Sequence, residues 1–128
     1  IEYSGIVAFD QYRVKQAQWL RSLRKEQKVG KHPLVVFCHM PPTLENWHGP
    51  YHLQETLVPE LNKLNVSVMI SGHLHADGYQ QPNEVINFPN LVNSNNTYLL
   101  CHIKNGKMDV KSVDVNGKVK KQFTFPLK

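Results

Sequence analysis

Val66-Ser67-Val68-Met69-Ile70-Ser71-Gly72-His73-Leu74-His75 is the stretch on which the fold turns. Its first five residues form an almost unbroken apolar run, which reads as a buried strand. The run ends on a glycine and then two histidines with one residue between them. At the mouth of a strand such a pair can aim both imidazoles at one small volume, and Gly72 is expected to supply the sharp turn and the close approach of a ligand. The same grammar occurs upstream, where Leu34-Val35-Val36-Phe37-Cys38 is followed by His39-Met40-Pro41-Pro42. That run also lacks alternation, so it reads as a strand covered on both faces, as in a parallel sheet under helices. If the two strands are parallel neighbours, His39, His73 and His75 emerge together beyond their carboxyl ends, where ligands bind in open α/β sheets. A single histidine beside a strand is more often a hydrogen-bonded structural residue. Its repetition at two strand ends favours a transition-metal site, because neutral imidazole suits zinc, iron and manganese.

These same residues carry a family resemblance. Val35 to Pro42, followed by Ser71-Gly72-His73-Leu74-His75, resembles the last two metal-binding motifs of the calcineurin-like metallophosphoesterases. Gln18-Trp19-Leu20 with Leu23 resembles the helix that precedes the lone histidine in that family. The resemblance spans about residues 5 to 80. The family's earlier motifs (Asp-x-His, Gly-Asp-x-x-Asp and Gly-Asn-His-Asp/Glu) do not occur in this chain, which resembles the C-terminal half alone. The resemblance implies a four-layer α/β/β/α sandwich of which this chain, residues 1–128, is a single partial domain. It also implies two metal ions (manganese, iron or zinc), with His39 and His73 on one and His75 on the other, and a metal-bound water attacking phosphorus. The bridging carboxylate, the remaining ligands and the usual leaving-group acid would come from the absent motifs.

Working outward, Gly5 to Phe9 is a short apolar run that reads as a strand, and Asp10 is placed to cap a following helix. From Gln11 to Lys28 the pattern is helical. Val14, Ala17, Leu20 and Leu23 make one stripe with Trp19 beside it, under a basic surface, as in an amphipathic helix laid on a sheet. Gly30 and Pro33 end it. Thr43 to His52 reads as a loop that carries Trp47, His48, Tyr51 and His52 directly after His39. Loops on a rigid scaffold commonly hold binding residues, so Trp47, His48 and Tyr51 are expected to shape a substrate mouth, with His48 as proton donor to a leaving group; simple packing of these aromatics is the alternative. Leu53, Leu57, Leu61 and Leu64 predict a second helix, interrupted at Pro59. Ala76 to Asn90 reads as irregular, with a short strand at Glu84–Phe88 and Asp77 turning the loop.

Beyond Leu91 the grammar becomes antiparallel. Thr97–Ile103 reads as a strand, Asn105-Gly106 and Asn116-Gly117 as hairpin turns, and a phase slip at Ser112-Val113 as a bulge. Val119, Phe123 and Phe125 supply a last alternating strand. His102 lies inside this meander, away from the motifs, and reads as structural. The architecture expected is therefore α/β, with βαβ units followed by an antiparallel meander.

The chain has 128 residues and a net charge of +5 with histidine neutral. That gives mild attraction to anions, phosphate esters and nucleic acid included, and nucleic acid enters only as a substrate. Lys118, Lys120 and Lys121 read as a solvated strand face. Cys38 and Cys101 form no disulfide framework and read as small buried apolar residues, with Cys38 facing away from His39. No apolar run approaches a membrane span, no signal-peptide pattern opens the sequence, and the compartment is not set by it.

Together these residues suggest the half of a metal-dependent phosphoesterase that is inactive or nearly so alone, since three histidines lack anionic bridges between two cations. It would act on a phosphate ester and pair with a missing N-terminal half or a second copy of itself. Two alternatives stay open: a mononuclear zinc hydrolase on His39, His73 and His75, and a non-catalytic α/β interaction module.

Overall fold

A computed structural model describes residues 6–26, 29 and 31–128. Helix α1 (Phe9–Lys25) leads into strand β1 (Leu34–Phe37), two short helices α2 (His48–Glu55) and α3 (Leu57–Leu61), and strand β2 (Val66–Ser71). Strands β3 (Gly78–Gln80) and β4 (Asn90–Val92) follow, then the meander of β5 (Thr97–Lys104), β6 (Lys107–Asp114) and β7 (Val119–Pro126). The first four strands form one mixed sheet in the order β1-β2-β4-β3, and the last three form a separate antiparallel sheet. β1 and β4 both run parallel to β2, and β3 returns antiparallel to β4. Of the expected βαβ units one is present, β1 to β2 through α2 and α3, and the expected antiparallel meander follows it.

β2 is the centre of the molecule because both of its faces are covered. Met69 packs with Val58 and Leu61 of α3, Ile86, Phe88 and the flank of Leu20 on the helical side. Val68 and Ile70 pack with Met108 and Val110 of β6 and Phe125 of β7 on the other side. Helices, mixed sheet and antiparallel sheet therefore stack as three layers. An apolar run without alternation folds this way because every second residue has a core to enter on its own side.

Several local readings are corrected. The strand expected at Gly5–Phe9 gives way to α1, which begins at Phe9; Val7 makes only an isolated bridge, and Gly5 lies outside the described residues. Asp10 does not cap that helix: Ala8 holds the cap position without a side-chain bond. Asp10 instead lies in the first turn, where a carboxylate suits the positive end of the helix dipole. The helix ends at Lys25, and the expected extension to Gln27 and Lys28 lies outside the described residues.

The segment read as loop to His52 is helical from His48. One helix from Leu53 to Leu64 becomes two because Thr56 breaks the run. The Thr56 hydroxyl and amide both donate to the His52 carbonyl (2.6 and 3.0 Å), an i−4 back-bond that bends helices. Pro59 then falls in the first turn of α3, where its missing N–H costs no intrahelical bond.

The strand expected at Glu84–Phe88 is a turn. The Asn83 carboxamide oxygen accepts from the amides of Val85 and Ile86, so the side chain replaces a strand partner. Ile86 and Phe88 become fully buried plugs under the helices. Cys101, expected to be buried, is exposed on β5, an edge strand of the outer sheet, whereas Cys38 is half-buried. The two hairpin signals and the bulge between Ser112 and Val113 are present. Asn105 and Gly106 both have positive φ (53° and 71°), as a two-residue type I′ turn requires.

Candidate metal centre

The parallel ladder does not stop where β1 and β2 end. The Cys38 amide donates to Ile70 O at 3.1 Å and the Gly72 amide to His39 O at 3.0 Å. On the far side of β2 the Asn93 amide donates to Ser71 O at 2.8 Å. These bonds hold His39, Gly72 and Asn93 side by side just past three parallel strand ends. A cleft of about 500 Å³ opens there, lined by His39, His73 and His75, by Asn93, Ser94 and Asn95, and by the apolar side chains of Phe37, Ile70 and Leu99.

Within the cleft His39 and His73 meet. His73 Nδ1 stands 3.2 Å from His39 Nε2, with the rings nearly perpendicular. The meeting is produced by a tight turn: the Leu74 amide donates to Gly72 O at 2.8 Å across His73, whose φ is 70°. A γ-turn with positive φ at its centre is rare and strained. His75 is also left-handed, with φ 56°. Left-handed non-glycine residues persist where the surroundings over-determine them, and they cluster at functional sites. The turn is thus made by the histidines, not by Gly72, whose φ is not positive and whose added Cβ would meet nothing nearer than His39 O at 4.0 Å.

The donor set can be compared with a metal shell. Two nitrogens each about 2.1 Å from one ion, at tetrahedral or octahedral angles, lie roughly 3.0–3.4 Å apart. The observed 3.2 Å between His39 Nε2 and His73 Nδ1 falls in that range, so the pair fits as two ligands of one ion. His75 lines the same cleft but is exposed. Among the described residues no three His, Cys, Asp or Glu side chains are gathered closely enough to hold a metal together.

The segment after His39 wraps back over the pair. Trp47 stacks on His73, with centroids 6.1 Å apart and planes at 27°. The Trp47 indole N–H donates to Glu45 Oε2 at 2.9 Å, and the same carboxylate oxygen lies 3.4 Å from His73 Nε2. Room for the indole depends on Gly49, where an added Cβ would sit 2.6 Å from Trp47 Cη2. No sequence pattern marks Glu45, which stands in an irregular segment with no spacing rule.

His48 and Tyr51 are not drawn to the pair. Tyr51 is exposed on α2. His48 Nε2 instead faces the Asp10 carboxylate at 2.8 and 3.0 Å. The Arg13 guanidinium also donates to Asp10, and its Nε donates to His52 Nδ1 at 2.8 Å. Asp10 is held below the usual aspartate range chiefly by the His48 hydrogen bond, which with Arg13 and the charges of His52 and His48 outweighs the opposing effect of desolvation. Burial pushes the Cys38 thiol up, away from the reactive thiolate. Asp77 is exposed ahead of β3, and His102 is exposed on β5.

Comparison with known proteins bears on this geometry. Residues 2–77 match the family model of the calcineurin-like phosphoesterases, a span that ends just past His75. No curated protein matches the chain.

Proposed function

Because this chain belongs to the calcineurin-like phosphoesterases, we propose that it supplies the histidine half of a dinuclear centre that hydrolyses a phosphate ester. The observation that carries this reading is the 3.2 Å approach of His39 Nε2 and His73 Nδ1 at neighbouring parallel strand ends. His39 and His73 would hold one ion and His75 a second. When bound, manganese, iron or zinc neutralises charge on the phosphate and makes water nucleophilic near neutral pH.

The chain's own residues do the rest. The extended ladder between Cys38–His39 and Ile70–Gly72 fixes the spacing of the ligands. Trp47, stacked on His73, and the exposed Tyr51 of α2 are the proposed substrate-binding residues. His48 is the proposed proton donor to the leaving-group oxygen through Nε2, and donation requires its contact with Asp10 to open. A single-ion centre would need His75 in the shell of the other two, and His75 is not gathered with them.

Three neutral imidazoles offer no anionic bridge between two cations. The chain alone is therefore expected to turn over little or nothing, and activity to require a segment carrying the family's carboxylate and Asn-His motifs. A protein joining such a segment to this chain should cleave an aryl phosphate mono- or diester when supplied with manganese, iron or zinc. Turnover that persists undiminished in chelator would contradict the reading.

A further inference from the structure

We propose that Glu45 and Trp47 act as a clamp that fixes the tautomer and ring orientation of His73. This inference rests on the metal reading above and adds two positioning residues to it. A histidine offers a lone pair at only one ring nitrogen when neutral, and the partner of the other nitrogen decides which. Glu45 Oε2 lies 3.4 Å from His73 Nε2, at ion-pair distance, so its negative charge favours a proton on Nε2 over one on Nδ1 and leaves Nδ1 bare. The bare Nδ1 is the nitrogen turned towards His39 Nε2 at 3.2 Å. With Nδ1 bare, the hydrogen between the two rings belongs to His39 Nε2 in the metal-free chain.

The carboxylate is itself held in place. The Trp47 N–H donates to the same Oε2 at 2.9 Å, which leaves Glu45 little freedom to swing away from His73. The Trp47 ring then covers one face of the imidazole. Edge and face of His73 are thus both braced by residues two apart in sequence, and the brace lets a left-handed γ-turn residue present one particular nitrogen. Carboxylates behind ligating histidines act this way, raising ligand basicity and setting ring orientation.

The test begins with the metal-free wild-type chain. Long-range ¹H–¹⁵N NMR of the histidine rings should show the His73 proton on Nε2. A proton on Nδ1 would overturn the proposal without any metal being added. Glu45→Ala should mix the two tautomers and weaken zinc binding, followed by competition with a chromophoric chelator, about 10–100-fold. Glu45→Gln keeps an acceptor at the same place and should restore most of the affinity. Trp47→Phe keeps the stack but removes the N–H, and should fall between. Glu84→Ala, at an exposed position elsewhere, serves as control. If Glu45→Ala binds zinc like wild type while His73→Ala does not, the clamp is wrong and the metal reading stands. If His73→Ala also binds like wild type, the metal reading itself has failed.

Discussion

His73 and His75 carry the clearest sign that this turn is built for something other than stability. Both adopt the left-handed region, at φ 70° and 56°. For a residue with a Cβ that conformation costs roughly 1–2 kcal/mol, and glycine avoids it at about 0.5–1 kcal/mol of extra chain entropy. His75 is exposed, so it gives the cleaner measurement. His75→Gly is expected to stabilise the metal-free chain by about 0.5–1 kcal/mol in urea unfolding. A destabilisation of similar size would mean that His75 contributes contacts that outweigh its strain.

The histidines themselves were legible in the sequence, because their positions after two apolar runs are fixed by pattern. Their backbone state was not: no spacing rule announces a γ-turn, and the neighbouring Gly72 pointed to the wrong residue. Glu45 was hidden for a related reason. Its role depends on a loop folding back across the sheet edge, and nothing periodic marks such a loop. Cys101 was misread because an apolar neighbourhood in a strand does not reveal which sheet face lies outside.

At the scale of elements, α1 is fastened to α3 by one buried carboxylate. Glu60 is only 3 % exposed. Arg21 donates to its Oε1 twice, at 2.9 and 3.1 Å, and Arg24 and Lys63 approach to 3.7 Å. Burial alone would raise the Glu60 carboxyl. The Arg21 hydrogen bonds and the charges of Arg21, Lys63 and Arg24 outweigh it and hold the group below the ordinary glutamate value of 4.5. A carboxylate depressed in the folded state adds stability that is complete above that ordinary value and is lost as pH falls through the lowered one. Chemical denaturation across this acid range should show that loss in wild type and a flatter profile in Glu60→Gln. Glu60→Ala should cost about 1–3 kcal/mol near neutral pH, the scale of hydrogen bonds to a charged group. An unchanged midpoint would show the ion pairs to be dispensable.

The part of the α1 stripe that turns to the core (Ala17 buried, Leu20 and Leu23 half-buried) was readable from its period, whereas Val14 and Trp19 of the same reading are exposed. The charge that locks the helix there was not readable, since Arg21 and Glu60 lie 39 residues apart and share no local pattern.

For the whole molecule, the decisive feature is what remains uncovered. β1 pairs with β2 on one side and stands at the edge of its sheet. Phe37, at its end, is 76 % exposed, although the unalternating run predicted cover on both faces. Tyr98, Leu100 and Ile103 are likewise exposed on β5, which edges the other sheet. Open edges flanked by exposed apolar side chains template pairing with another chain. The chain is therefore expected to self-associate with rising concentration in sedimentation velocity, and Phe37→Lys to shift it towards monomer. A wild-type chain that stays monomeric at every concentration would contradict this. The layered architecture was legible, because β2 could only be a strand covered twice. Cover for β1 was inferred from the same pattern and is partial: Leu34 and Val36 pack against one core and Val35 against the other, each half-buried, while Phe37 is left out.

The central claim is that His39 and His73 share a metal ion at the end of this sheet. The most direct test is an equilibrium zinc titration of wild type beside His39→Ala, His73→Ala and His102→Ala, with a competing chelator to set the scale. Wild type and His102→Ala should show saturable binding that weakens on acidification, because the ligating imidazole must be neutral. His39→Ala and His73→Ala should each lose most of it. Saturable binding that survives both of those substitutions, or its absence from wild type, would contradict the account.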